Sequence, residues 1–341
     1  MEQTPAPQAR PAGSNRSWLI ALSIILGIFF SCTLLPLGAF ALLLAAGSGG
    51  GSVGPVPAIS WDEQVVEGAG ANRIVIIDVT GAIGGATDLF STQLSQQEII
   101  SQIRQAARDG RVRALVLRVD SPGGGVVASN EIHAELQKFR DTGKPLVVSM
   151  GSVAASGGYY ISTPAQRIYA NPDTLTGSLG VILATLNYEE AFEWLGLQSI
   201  VYKSGEMKDI GSPTRATTAE EMAVLQSIVD DAFDGFVQVI VDGRGMDEAQ
   251  VRTLADGRLY TGRQAYDLGL VDALGNLDAA LEGAKELAGI ESAMVVRYTR
   301  VGSLRSILMS NLEQPQAPND PLGLRVLTDP PVPILEYRWQ P

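Results

Sequence analysis

Two glycine-containing loops and a handful of lysines hold what chemistry this chain can do. Residues 151–160 read GSVAASGGYY and follow the apolar run 146–150. A serine among small residues at the end of a buried strand has the logic of a nucleophile elbow, although Ala154 replaces the first glycine of G-x-S-x-G. Serine at a helix start also serves as an N-cap, so this loop alone assigns nothing. Residues 120–125 read DSPGGG after the apolar run 112–119. Glycines ahead of a helix expose backbone N–H groups in a nest for negative charge. A phosphate cradle would carry a GKS or GKT signature, which is missing here; an oxyanion hole is another use, and for this loop by itself a structural strand-to-helix turn is the default reading. Paired, the loops supply what acyl transfer needs: Ser156 as nucleophile, with the N–H groups of Gly157 and Gly124 aimed at the oxygen that becomes negative.

A serine nucleophile needs a base. His133 is the single histidine and lies in the helical pattern 129–140 between Ile132 and Ala134, where a packed helix residue is a better reading than a triad member. The lysines are Lys138, Lys144, Lys203, Lys208 and Lys285. Lys203 and Lys208 stand together just past the apolar run 200–202. A lysine amine works as a base only where burial keeps it neutral. A Ser–Lys pair of this kind needs neither histidine nor metal.

These loops must be positioned by a sheet. The runs 74–79, 112–119, 146–150 and 200–202 are short, β-branched and flanked by turn residues, as buried strands are. Residues 97–107, 129–140 and 219–240 have helical spacing, the last opened by Thr218 as N-cap with Glu220 and Glu221 in its first turn. Alternating strand and helix predicts an α/β fold with a mostly parallel sheet and right-handed crossovers, its site in loops at the carboxyl ends of strands.

The 341 residues carry a formal charge of −12, which excludes the basic footprint of a nucleic-acid binder. With one cysteine, Cys32, and one histidine, no internal disulfide is possible and neither a metal nor a cofactor is expected. No charge occurs from Ser17 to Trp61, and the apolar run 18–46 spans ~29 residues, against roughly 20 for a membrane-crossing helix. A cleavable leader has an apolar stretch of about 7–15 residues, so a retained anchor is expected. Arg10 and Arg16 precede it, which keeps the N-terminus cytoplasmic and the body outside. The organisation expected is a cytoplasmic 1–16, a transmembrane helix at 17–46, a Gly/Ser/Pro linker at 47–71, a catalytic domain at 72–290 and an extension at 291–341. From 312 the extension is a proline-rich, loosely attached tail.

The stretches DSPGGGVVAS (120–129), GSVAASGGYYIS (151–162), TGSLGVI (176–182), KSGEMKDIGSPTR (203–215) and DGRLYTGRQAYDLGLVDALG (256–275) together resemble the signal peptide peptidase A family, in its short, single-domain bacterial form. That resemblance implies a Clp protease/crotonase-like fold and a serine endopeptidase that cleaves signal peptides and other hydrophobic peptides through an acyl-enzyme. It implies Ser156 as nucleophile, Lys208 as general base, Ser178 as the residue positioning the lysine amine, and Gly124 and Gly157 as oxyanion donors. Lys203 falls on a supporting position, and His133 on none. It further implies a ring-like homo-oligomer, an octamer for instance, with the dyad shared between protomers. Two other enzymes compete: a related membrane serine protease that cuts one membrane-protein partner, such as a stomatin, and a crotonase-like acyl-CoA enzyme. The 203–215 stretch favours the first reading over the former, and the lack of a basic phosphate-binding cluster disfavours the latter. A non-catalytic scaffold would lack the nucleophile or the base, and this chain has both.

Overall fold

The computed structural model describes residues 60–84, 94–300 and 335–339. In chain order the first elements are β1 (Trp61–Glu67), β2 (Arg73–Thr80), α1 (Gln96–Arg108), β3 (Val112–Ser121), β4 (Gly123–Gly125), α2 (Val126–Asp141), β5 (Leu146–Ala155) and the single turn α3 (Gly157–Tyr160). There follow β6 (Arg167–Ala170), β7 (Leu175–Gly177), β8 (Ile182–Leu183), α4 (Glu189–Trp194), a 3-10 turn (Glu206–Asp209), α5 (Ala219–Arg244) and α6 (Glu248–Leu254). The last are β9 (Leu259–Thr261), α7 (Gly262–Asp267), β10 (Ala273–Leu274), α8 (Leu277–Ala288), β11 (Met294–Arg300) and β12 (Leu335–Arg338).

Nine strands form one sheet in the order β1-β11-β2-β3-β5-β6-β10, with β7 paired to β5 and β9 to β7. Every pair in it is parallel except β1 with β11 and β7 with β9, so the sheet is mostly parallel, as expected. Side chains alternate between its faces. Ile74 and Ile76 of β2 join a core with Ala280, Leu281 and Ala284 of α8. Val75, Ile77 and Val79 join the opposite core with Ile103 of α1 and Ile132, Leu136 and Phe139 of α2. Helices thus cover both faces, which is why the central strands are near-continuous apolar runs.

Strand β5 does two jobs. Its residues 147–149 pair with β6 and its residues 153–155 with β7, so the sheet forks where the chain approaches Ser156. Helix α5 starts at a capping box in which the Thr218 hydroxyl accepts from the Glu221 N–H and the Glu221 carboxylate accepts from the Thr218 N–H.

Three sequence expectations differ from the structure. No strand forms at 200–202; Ile200 and Tyr202 are 72% and 95% exposed, because no strand edge lies beside that β-branched run. The sheet also reaches past the expected 72–290: β1 lies in the stretch read as linker, and β11 beyond residue 290 inserts between β1 and β2. The tail read as loosely attached holds an ordered strand, β12, antiparallel between β4 and β8 in a small second sheet. The expected membrane helix, with Cys32, lies outside the described residues. Among the described residues no helix is long and apolar enough to cross a membrane.

Candidate active site

Ser156 is the one residue between the end of β5 and the start of α3, and it adopts φ 52 and ψ −113. A side-chain-bearing residue adopts such angles only where its surroundings enforce them. Its N–H donates to the Gly177 carbonyl at 2.8 Å, and its carbonyl accepts from the Tyr160 N–H at 2.9 Å. Its hydroxyl makes no capping bond, so the residue is not acting as the N-cap of α3. Instead Ser156 lines a cavity of about 350 Å³ together with Ser178, Val181, Phe233 and Asp256.

Ser178 reaches that cavity by register. Strands β5 and β7 are parallel with Ala155 opposite Gly177, so the next residues, Ser156 and Ser178, are neighbours. Ser178 has φ 49, and its N–H is tied to the Arg258 carbonyl at 2.7 Å.

The glycine loop is held from both sides. Asp120 Oδ1 accepts from the Val153 N–H at 3.0 Å, and the Ser121 hydroxyl donates to the Gly81 carbonyl at 2.6 Å while accepting from the Gly123 N–H at 3.1 Å. On one edge of β4 the Ile83 N–H donates to Gly123 O and the Gly125 N–H donates to Ile83 O. Backbone groups alternate along a strand, so the Gly124 N–H faces the other edge. That edge abuts α3: a Cβ on Gly123, where φ is 96, would sit 2.6 Å from the Gly157 nitrogen. A Cβ on Gly157 would in turn sit 2.7 Å from Ser129 Oγ. Only glycine lets the two loops close on each other. Ser129, which the sequence reading did not single out, is fully buried and its hydroxyl has no hydrogen-bond partner among the described residues.

Lys208 is elsewhere. It sits on the exposed 3-10 turn, is absent from the lining of the Ser156 cavity, and its ammonium has no ion-pair or hydrogen-bond partner among the described residues. The turn itself is pinned. Lys203 Nζ donates to Asp209 Oδ1 at 2.7 Å and to Glu206 O at 2.8 Å. Arg215 bonds Asp209 Oδ1 at 2.9 Å and also the Glu221 carboxylate. The Arg215 guanidinium, with Lys203, holds the Asp209 carboxyl well below the usual range, and Arg215 with the Thr218 N–H holds Glu221 at about 2. One chain therefore brings together Ser156, Ser178, Gly124 and Gly157, but not Lys208.

His133 lies buried in α2 with its ring edge-on to Tyr160 at 5.1 Å, and burial lowers its pKa to about 4. It is a neutral packing residue, as its position between Ile132 and Ala134 suggested. Among the described residues no cluster of His, Cys, Asp and Glu could hold a metal.

A serine at a strained strand-to-helix turn, sharing a cavity with a second serine, is the kind of arrangement that serine proteases use, and sequence comparison agrees. The profile of peptidase family S49 matches residues 138–291, which include Ser156, Gly157, Ser178 and Lys208. A protein of Enterococcus faecium named as a signal peptide peptidase, SppA, is 41% identical over 240 residues, covering 70% of each chain. One of Synechocystis named as a protease is 40% identical over 219 residues, 64% of this chain and 76% of its own. Protease 4 of Salmonella typhi is 40% identical over 212 residues, 62% of this chain but 34% of its own. The chain belongs to the signal peptide peptidase A family, peptidase family S49.

Proposed function

We propose that this chain is a membrane-anchored endopeptidase that cleaves signal peptides and other short hydrophobic peptides through a Ser156–Lys208 dyad. The observation carrying the reading is the strained Ser156 placed beside Ser178, where the glycine loop at 123–125 closes against Gly157. Ser156 Oγ attacks the scissile carbonyl as its proton passes to the neutral Lys208 amine. The carbonyl oxygen becomes negative between the two glycine N–H groups, which are in place beforehand and need no reorganisation. Collapse expels the amine fragment, which takes the proton from Lys208, and leaves an acyl ester on Ser156. Water, losing its proton to Lys208, then releases the acid and restores the serine. The Ser178 hydroxyl holds the amine toward Ser156.

The base comes from a neighbouring protomer in a ring. Lys208 is exposed on a turn fixed by the Lys203–Asp209–Arg215–Glu221 network, and Trp194, Leu195, Ile200, Val201 and Tyr202, in the stretch of chain leading to it, are exposed too. An exposed apolar group of that size is what an interface covers, and head-to-tail contacts close naturally into rings. The anchor at 17–46 places this ring outside the cytoplasmic membrane.

The test is a serine-directed fluorophosphonate on the full-length protein in detergent, with the adduct located by mass spectrometry. Labelling at Ser156 is expected. Labelling of another serine, with Ser156 unmodified in active protein, rejects the assignment.

A further inference from the structure

Strand β5 changes partners just before Ser156, and its ladder with β3 breaks at the same place. Val119 pairs with Met150 and Ser121 with Ala154, so the single residue Asp120 stands opposite Gly151, Ser152 and Val153. A bulge of this kind keeps the alternation of faces but bends the strand. The bend carries β5 away from β6, paired as far as Ser149, and onto β7, paired from Val153 onward. Ser156 follows directly on that short second ladder.

A bulge leaves ladder groups unpaired, and here side chains take over. Asp120 Oδ1 accepts from the Val153 N–H at 3.0 Å. Arg118 Nη1 donates to the Met150 carbonyl at 2.8 Å, and the buried Thr174 hydroxyl donates to the Gly151 carbonyl at 2.7 Å. Asp120 fits the bulge in shape as well. A Cβ on Gly151 would sit 2.7 Å from Asp120 Cγ and 2.8 Å from its Cβ, so the carboxyl group fills the space a side chain at 151 would need. The backbone of Asp120 is itself fixed, because the Gly81 N–H donates to its carbonyl at 3.0 Å. A cavity of about 460 Å³ lies against Gly151, Ser152 and Val153. Packing is thin there, and the side-chain bonds set the path of the chain.

We propose that Asp120 is a positioning residue for the peptidase reaction: by holding the Val153 N–H it fixes the bulge that aims Ser156. The proposal rests on Ser156 being the nucleophile. Asp120 does not line the Ser156 cavity, and it acts through the backbone of residues 153–155. Without the acceptor, the Val153 N–H loses its bond, and the bulge is free to shift and carry the Ser156 hydroxyl off its line to the scissile carbonyl. A misplacement of about 1 Å costs up to about a hundredfold in rate. The glycine loop keeps its own ties through the Ser121 hydroxyl, so the loss falls on kcat and not on KM. The role asks for an acceptor and not for a charge, and an amide oxygen supplies one.

The test compares full-length wild type, Asp120→Ala, Asp120→Asn and Gly151→Ala in detergent. Fluorophosphonate labelling run to completion counts the folded sites, so that kcat and the rate of labelling are expressed per site. Expected for Asp120→Ala is a kcat about 10- to 100-fold below wild type, a KM within about twofold, and labelling slowed in proportion. Asp120→Asn should recover most of that loss. Gly151→Ala, whose methyl group drives the carboxyl away from Val153, should behave like Asp120→Ala and replaces it if that variant does not fold. Wild-type kcat per site in Asp120→Ala or Gly151→Ala overturns the positioning role, as does Asp120→Asn as slow as either. In both cases labelling at Ser156 leaves the nucleophile assignment standing. Labelling of another serine in active wild type, with Ser156 unmodified, overturns the nucleophile and this role with it.

Discussion

Ser156 and Ser178 stand side by side one residue past the paired ends of β5 and β7, and each has a positive φ, 52 and 49. They are the two non-glycine residues of that kind among the described residues. Positive φ turns each side chain out of the plane its strand would give it, and both then face the same cavity. Strain at two adjacent strand ends costs stability and persists only where the surrounding structure enforces it.

The strain at Ser156 can be measured. Ser156→Ala should abolish peptide hydrolysis without unfolding the chain. Ser156→Gly should abolish it too, yet raise stability by about 1–2 kcal/mol, because glycine meets no steric cost at φ 52. Urea unfolding of the two variants decides the matter. Equal stability would mean that the turn is unstrained.

Placement of Lys208 away from Ser156 in one chain gives the dyad a sharp test. Lys208→Ala and Lys208→Arg should each lose activity by several orders of magnitude, since arginine stays protonated and cannot take the serine proton. Co-assembled Ser156→Ala and Lys208→Ala proteins should regain part of the wild-type rate, because some sites then pair an intact serine with an intact lysine. Confirmed mixed assemblies without recovery would place the dyad within one protomer.

Much of this arrangement was legible in the sequence, for physical reasons. The central strands are buried on both faces, so 74–79, 112–119 and 146–150 stand out as apolar runs. Gly123 and Gly157 are forced by close approach of two loops, and such positions show in a sequence as glycine clusters. What was not legible depends on partners distant in the chain. Residues 200–202 have strand composition but no neighbouring edge, so propensity misleads there. Strand β12 is short, and it is ordered by edges more than 150 residues earlier, which no local pattern around Tyr337 announces. Ser129 is missed for the same reason: only the fold shows its hydroxyl against Gly157.

The ion-pair network around Asp209 positions the Lys208 turn without touching Ser156. Asp209→Asn or Arg215→Met should therefore lower peptide hydrolysis tenfold or more while the fluorophosphonate still labels folded protein. Arg215→Lys should rescue little, because Arg215 bridges Asp209 and Glu221 at once with a forked guanidinium. Activity near wild type in Arg215→Met would free the turn from that role.

Topology has its own test. On the proposed orientation, which the charges of Arg10 and Arg16 motivate, protease added to intact spheroplasts should digest the catalytic body. Protection until lysis would invert the orientation.

His133 sets how the fold answers to acid. Its pKa is about 4 in the folded chain, against 6.5 when unfolded, because burial beside Tyr160 disfavours the imidazolium. Between those values the unfolded chain binds the additional proton, so stability is intact above about pH 6.5 and falls as pH drops toward 4. At pH 4.5 the loss amounts to about 2 kcal/mol. Carboxylates act lower: Glu221, held at about 2, starts to lose its stabilising ionisation as pH falls to its ordinary value near 4.5. Most of the window from pH 6.5 to 4.5 therefore belongs to the histidine. His133→Phe keeps a ring against Tyr160 and removes the titration, so its stability should change little across that window while that of the wild type declines. The same variant should keep most peptidase activity at neutral pH, since His133 is uncharged there and lies outside the Ser156 cavity. Parallel decline of both proteins from pH 6.5 to 4.5, followed by urea unfolding, would assign the acid response to other groups.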